Sequence, residues 1–141
     1  VKGPAFFLGE TMRFQFEFPP STNNLWMPVK GKGLVKTKEY RAWLDANAWI
    51  IRQQIGLVKI EGLFEIKFVF ERPDRRKRDL DNLLKSSLDC IVSARVVHDD
   101  YLCQKLTAEW INRYGRTVYC EILSRSEDGI AREIQSGSTA N

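Results

Sequence analysis

Residues 71–100, ERPDRRKRDLDNLLKSSLDCIVSARVVHDD, concentrate the side chains that can do chemistry on a phosphate. Arg72, Arg75, Arg76, Lys77 and Arg78 run directly into Asp79 and Asp81, and a second acidic pair, Asp99-Asp100, closes the segment. Carboxylates brought together from two places in a chain bind hard divalent cations such as Mg²⁺ through oxygen. Surrounding them with arginine and lysine suits phosphodiester cleavage better than simple ion binding. Bound cations activate water and stabilise charge on the attacking and leaving oxygens, while the bases hold a nucleic-acid backbone. Lys85, one turn beyond Asp81, can set an ammonium near the scissile phosphate.

These groups need a helix to carry them. Leu80, Leu83, Leu84, Leu88 and Ile91 form one apolar stripe, which predicts a helix from about Asp79 to Ser93. Asp81, Lys85 and Asp89 stand at i, i+4 and i+8 on its flank. Residues i and i+2 lie on opposite sides of a regular helix, so Asp79 and Asp81 converge only if Asp79 stays outside the helix body, near the N-cap. A plainer account uses the same residues: Asp79 caps the helix, Asp81–Lys85–Asp89 is a solvated ion-pair ladder, and Asp99-Asp100 is a turn.

The rest of the chain reads β-α-β-α-β-β. Phe14, Phe16 and Phe18 alternate with Gln15 and Glu17, a strand that starts near Met12 and ends at Pro19-Pro20. Ser21–Lys36 is loop or hairpin, punctuated by Asn23, Asn24, Pro28, Gly31 and Gly33. A helix is expected from about Thr37 to Gln54, with Leu44, Ala48, Ile51 and Ile55 on one face and Gly56 as its stop. Leu63–Phe70 is a second strand. Strands near Leu102–Asn112 and Thr117–Leu123 are joined by a turn at Tyr114-Gly115. The expected fold is α+β, a small sheet with two principal helices. Residues 1–11 read as leader or expression-derived sequence, 12–123 as a single domain, and 124–141 as a polar tail in which Ile130–Ile134 either frays or forms a short helix.

Composition agrees with a folded domain acting on a polyanion. The 141 residues are 43% hydrophobic and 28% charged, which excludes a wholly disordered chain. Residues 121–141 hold four acids and two bases, so the net +4 of the chain becomes +6 on residues 1–120. No apolar run is long enough to span a bilayer. Cys90, Cys103 and Cys120 form no CxxC pair and are expected as buried free thiols, and the single histidine, His98, leaves no zinc-type cluster.

The run Pro73-Asp74-Arg75-Arg76-Lys77-Arg78-Asp79-Leu80-Asp81-Asn82-Leu83-x-Lys85, then Leu88-Asp89, then Asp99-Asp100, resembles the signature of RusA-type Holliday junction resolvases. Pro19-Pro20-Ser21-Thr22-Asn23 is similar to that family's N-terminal Pro-Pro-Ser-x-Asn segment, so the resemblance spans roughly Phe14 to Glu121. It implies a small homodimeric endonuclease that needs Mg²⁺ or Mn²⁺, binds four-way DNA junctions, and nicks two strands symmetrically to leave 5′-phosphate and 3′-hydroxyl ends. By resemblance, Asp79, Asp81 and Asp100 are the metal-binding carboxylates and Lys85 the active-site lysine. Asp99 is an acidic neighbour that is a further candidate ligand, and Asn82 stands where the family also has asparagine. The chain departs from the pattern at His98, where an apolar residue is usual, and in its two terminal extensions. The resemblance implies a bacterial or phage-encoded cytoplasmic protein.

Arg75, Arg76, Lys77, Arg78 and Asn82 are the expected DNA contacts beside the carboxylates. Lys30, Lys32, Lys36 and Lys38 precede the first helix, where they form either a basic hairpin gripping a second DNA arm or an ordinary solvated loop. His98 is read as solvated and Trp49 as lying off the apolar stripe of its helix. Two other activities use the same features: a nuclease for flaps or forks, and a non-catalytic junction-binding module. The intact set of carboxylates among arginines argues against the binder.

Overall fold

The computed structural model describes residues 11–125 and 130–132. Among the described residues the first strand, β1 (Thr11–Glu17), begins inside the segment read as leader. Thr22–Asn24 form a short 3-10 turn, followed by a hairpin of β2 (Trp26–Val29) and β3 (Gly33–Lys36). Helix α1 (Lys38–Ile55) leads to β4 (Val58–Ile60) and β5 (Phe64–Arg72). Helix α2 (Leu84–Ser93) precedes β6 (Cys103–Tyr114), β7 (Thr117–Ser124) and β8 (Ile130–Arg132).

The main sheet has the order β1-β7-β5-β6, with β7 antiparallel to both β1 and β5 and with β5 parallel to β6. A parallel pair needs a crossover, and α2 supplies it. Period-2 alternation puts Phe14, Phe16, Phe64, Ile66, Phe68, Phe70, Val118, Cys120 and Ile122 on one buried face. Both helices contribute to that same core, α1 through Tyr40, Leu44 and Ile51 and α2 through Cys90 and Ile91. The α+β class and the order of the principal elements hold.

Thr37 caps α1 by accepting from the Tyr40 N–H at 3.0 Å, and Gly56 ends it at φ 69°, a conformation glycine adopts without cost. Buried Asn47 ties the helix to the sheet, since its Oδ1 accepts from Glu17 N–H at 2.8 Å while its amide donates to the Trp43 carbonyl.

Two elements differ from expectation. The second helix does not begin at Asp79: Leu80–Leu83 form a 3-10 turn, and α-helical geometry starts only at Leu84. Ile130–Arg132, read as fraying or helical, form a strand antiparallel to β4. Their backbone groups find a ready partner in β4, itself too short at three residues to show periodicity in the sequence. The remainder of that segment, residues 133–134, lies outside the described residues, as do residues 1–10 of the segment read as leader.

The exit of α2 aims the chain back at the site. Arg95 takes a left-handed φ of 63°, and Val96 N–H closes onto the Ile91 carbonyl at 3.0 Å. Val97 then bridges in parallel to Ile60. Asp99 and Asp100 follow at once.

Candidate active site

Asp79 sits just before the 3-10 turn in extended geometry, φ −85° and ψ 127°, and its side chain makes no capping hydrogen bond. Among the described residues only its carbonyl is engaged, accepting from Asn82 N–H at 3.2 Å. The plain account of Asp79 as a helix cap therefore fails, and its exposed carboxylate stays free for other work. Asp81, also exposed, lies inside the 3-10 turn, so the tighter winding carries the first acidic pair outside the α-helix proper.

Downstream, Asp99 caps a second 3-10 turn (Asp100–Leu102): its Oδ1 accepts from Asp100 N–H at 2.7 Å. This occupies one oxygen of Asp99 and fixes the backbone from which Asp100 projects. Lys85 reaches Asp100 from α2, with Nζ 3.2 Å from Oδ2, and also pairs with Asp89 Oδ1 at 3.0 Å. The ladder expected along α2 is thus only half formed. Lys85 turns to Asp89 and Asp100 and forms no ion pair with Asp81.

Each group's proton affinity follows from its partners. The hydrogen bond to Asp89 comes first in pushing the Lys85 ammonium above its ordinary value, with Asp100 adding to it. The hydrogen bond from Lys85 holds Asp100 below the usual carboxylate range. Asp89 has a further partner that local spacing did not suggest. The hydroxyl of Tyr40, from the first turn of α1, donates to its Oδ2 at 2.6 Å. Tyr40 is fully buried, and burial first, then Asp89, drives its pKa far up, so it remains a neutral donor.

The basic run divides into two kinds of residue. Asp74 accepts from Arg78 at 2.7 Å and from Arg76 at 3.2 Å, and the Arg78 bond leads in pulling its pKa down to about 2. Arg78 is half-buried, its guanidinium 5.6 Å from the Phe18 ring centroid. Arg75 and Lys77 are exposed. A groove beside Asp79 is lined by Pro20, Ser21, Thr22 and Asn23 on one side and by Arg76, Lys77, Arg78 and Asn82 on the other. The two motif segments thus meet in space although more than fifty positions separate them in the chain. Behind the groove, Phe18 stacks on Trp110 and Arg72 lies 4.5 Å from the Trp110 ring.

Lys30 and Lys32 fall at the turn of the β2–β3 hairpin and are exposed, as is Lys38, while Lys36 is half-buried with Nζ 5.3 Å from the Trp26 ring centroid. Of the loop and the hairpin expected for Ser21–Lys36, the backbone forms the hairpin. His98 is exposed, as is Trp49 on α1. Cys90 and Cys120 are buried thiols, with burial raising both pKa values, whereas Cys103 is only half-buried.

Oxygen donors in this number suit a hard divalent cation: Asp79 and Asp81 are exposed carboxylates, and Asp100 already faces a cationic group. As the side chains stand, no three His, Cys, Asp or Glu groups among the described residues are close enough to hold a metal ion. The donor chemistry fits such an ion. No helix among the described residues is long and apolar enough to cross a membrane.

Comparison with known proteins matches residues 17–122 to the family model described as endodeoxyribonuclease RusA. The chain is 33% identical over 88 residues to the crossover junction endodeoxyribonuclease of Enterobacteria phage HK97, covering 62% of this chain and 72% of that protein. It is 32% identical over 90 residues to the corresponding protein of Escherichia coli strain K12, covering 64% and 74% of the two chains. The Aquifex aeolicus protein of the same description is 30% identical over 86 residues, with 61% and 68% covered. The matched span runs from the end of β1 into β7 and includes every carboxylate and base described above, and on this ground the chain belongs to the RusA family of endodeoxyribonucleases.

Proposed function

We propose that this protein is a metal-dependent endonuclease that binds four-way DNA junctions and resolves them by paired symmetric nicks, leaving 5′-phosphate and 3′-hydroxyl ends. One observation carries the reading most. The fold leaves the Asp79 carboxylate uncapped and exposed, and it brings the Lys85 ammonium, one turn from Asp81, onto Asp100. That combination has no purpose in phosphate binding alone. The relatives' shared description, crossover junction endodeoxyribonuclease, supports the same reading.

Asp79, Asp81 and Asp100 would hold Mg²⁺, or Mn²⁺ in its place, with Asp99 securing the turn that presents Asp100. The bound cation supplies activation of water and charge stabilisation at the phosphate. Lys85 contributes a positive charge beside the developing oxyanion. Arg75, Arg76, Lys77 and Arg78, with Asn82, track the DNA backbone along the groove, and Lys30, Lys32, Lys36 and Lys38 present a basic hairpin to a second arm. One chain offers one Asp79–Asp81–Asp100 set, whereas a junction requires two cuts. A two-fold homodimer matches that need and the symmetry of the junction.

A supercoiled plasmid with an extruded cruciform tests the proposal in Mg²⁺. Direct conversion to a linear product, with a dimer in sedimentation, is expected. Open circles as the lasting product, or cutting of flaps and forks in preference to junctions, would replace it with a general branched-DNA nuclease. Binding without any cutting would make it a junction-binding module.

A further inference from the structure

The Lys85 side chain is 60% accessible, yet its ammonium is held between two carboxylates of different character. Asp100 belongs to the proposed metal set. Asp89 does not: its side chain is only 15% accessible, and its two oxygens are divided between Lys85 at 3.0 Å and Tyr40 at 2.6 Å. Tyr40 in turn cannot move readily. It is fully buried, its backbone N–H is capped by Thr37, and its ring packs against Trp26 and Trp43 at centroid distances of 5.8 and 6.2 Å.

We infer that Asp89, fixed by the buried hydroxyl of Tyr40, is a positioning residue that holds the Lys85 ammonium in place independently of Asp100. The inference rests on the active-site role of Lys85 proposed above. A long lysine side chain samples many rotamers when unrestrained, and a misplaced charge loses much of its value at a reacting phosphate. Asp100 is a poor sole anchor because its oxygens are also wanted for a cation. Asp89 lies on the same helix as Lys85, one turn on, and is locked from behind by a different helix, so the ammonium is referenced to the α1–α2 interface and not to the metal ligands.

Two measurements decide the matter, one without metal or substrate. In ¹H–¹⁵N spectra of lysine ammonium groups, the metal-free protein should show a Lys85 signal protected from exchange with water, assigned by its loss in Lys85→Ala. Asp89→Asn should abolish that signal, while Asp100→Asn should leave it visible. In single-turnover cleavage of a four-way junction in Mg²⁺, Asp89→Asn should slow cutting on the order of tenfold to a hundredfold. Junction affinity in Ca²⁺ should stay unchanged, Tyr40→Phe should show a smaller loss of the same kind, and Asp89→Glu should recover part of the rate. Because the effect passes through Lys85, Asp89→Asn should cost nothing further in a Lys85→Ala background. A loss that multiplies in that background, or a protected Lys85 signal in Asp89→Asn, overturns the inference. If the wild-type protein does not cut junctions at all, the functional proposal fails, and the spectra alone still decide whether Asp89 positions Lys85. Should Tyr40→Phe fail to fold, Asp89→Asn and Asp89→Glu carry the test.

Discussion

Lys85 and Asp100, fifteen positions apart in the chain, meet with Nζ 3.2 Å from Oδ2, joining the helix that follows the first acidic pair to the turn that carries the second. This pairing gives the carboxylate predictions a structural frame. Asp79→Asn, Asp81→Asn and Asp100→Asn should each abolish junction cutting and spare binding, which tightens if negative charge in the DNA site is lowered. The pairing is partly exposed, so Asp100→Asn should lower stability by no more than about 1 kcal/mol. Gel-shift and cleavage assays on the same preparations separate the two effects. Wild-type cutting by Asp100→Asn would remove it from the ligand set.

Lys85→Ala should depress turnover far more than affinity. A lysine serving only as a helix ion-pair partner contributes ~0.2–0.5 kcal/mol, too little to change a rate appreciably. Single-turnover kinetics at saturating enzyme read the difference, and a near-normal rate with a slightly reduced melting temperature would leave Lys85 a structural role alone.

Binding to DNA should weaken steeply with salt, because counterions released from the phosphates drive it. Replacing Arg75, Arg76 and Lys77 together should flatten the slope by about 1 for each phosphate no longer neutralised, and should weaken junction and duplex binding alike. Arg75 and Lys77 should account for more of this than Arg76, which is already paired with Asp74. Neutralising Lys30, Lys32 and Lys36 should instead weaken junction binding selectively. Fluorescence titrations over a salt series measure both, and unchanged slopes in both variants would place the DNA surface elsewhere.

Acid should loosen the arginine loop. Asp74 titrates at about 2 in the folded protein, below its ordinary 3.8, because Arg78 and Arg76 bind its charged form. A carboxyl depressed by folding adds stability above its unfolded pKa and loses it as pH falls toward the folded value. Glu71 acts in the same direction, held down first by the Thr117 N–H and then by Arg113 and Tyr119. Melting temperature should therefore fall between about pH 4 and pH 2. Asp74→Asn should show a shallower fall over that window; an identical curve would mean that Asp74 is not linked to folding.

Gly115 lies in the connection from β6 to β7, directly over the Glu71 carboxylate, and a Cβ there would collide with it. Gly115→Ala should cost about 1–3 kcal/mol, as overpacking a fixed site does, and thermal denaturation should show it. Because Glu71 also accepts from Arg113 at 2.8 Å and from Thr117 N–H at 3.0 Å, it cannot swing aside without giving up both.

The sequence by itself determined the elements and the chemical set. Alternating Phe14-Phe16 and Phe64-Ile66-Phe68-Phe70, the Thr37 cap and the Gly56 stop are local signals, and local signals specify strands and helices. The order Asp79-x-Asp81-Asn82-x-x-Lys85 with Asp99-Asp100 downstream likewise marked the family. Tertiary structure decided which of these groups touch. Whether Asp79 capped a helix depended on Leu80–Leu83 winding as a 3-10 turn against β6, a packing outcome that an apolar stripe cannot foretell. Lys85 chose Asp89 and Asp100 over Asp81, and Asp89 acquired a partner forty-nine positions away in Tyr40. Strand β8 formed because β4 offered it unpaired backbone groups. Such pairings are set by how the crossover helix and the returning chain lie over the sheet, and no periodicity of 2 or 3.6 residues encodes that distance.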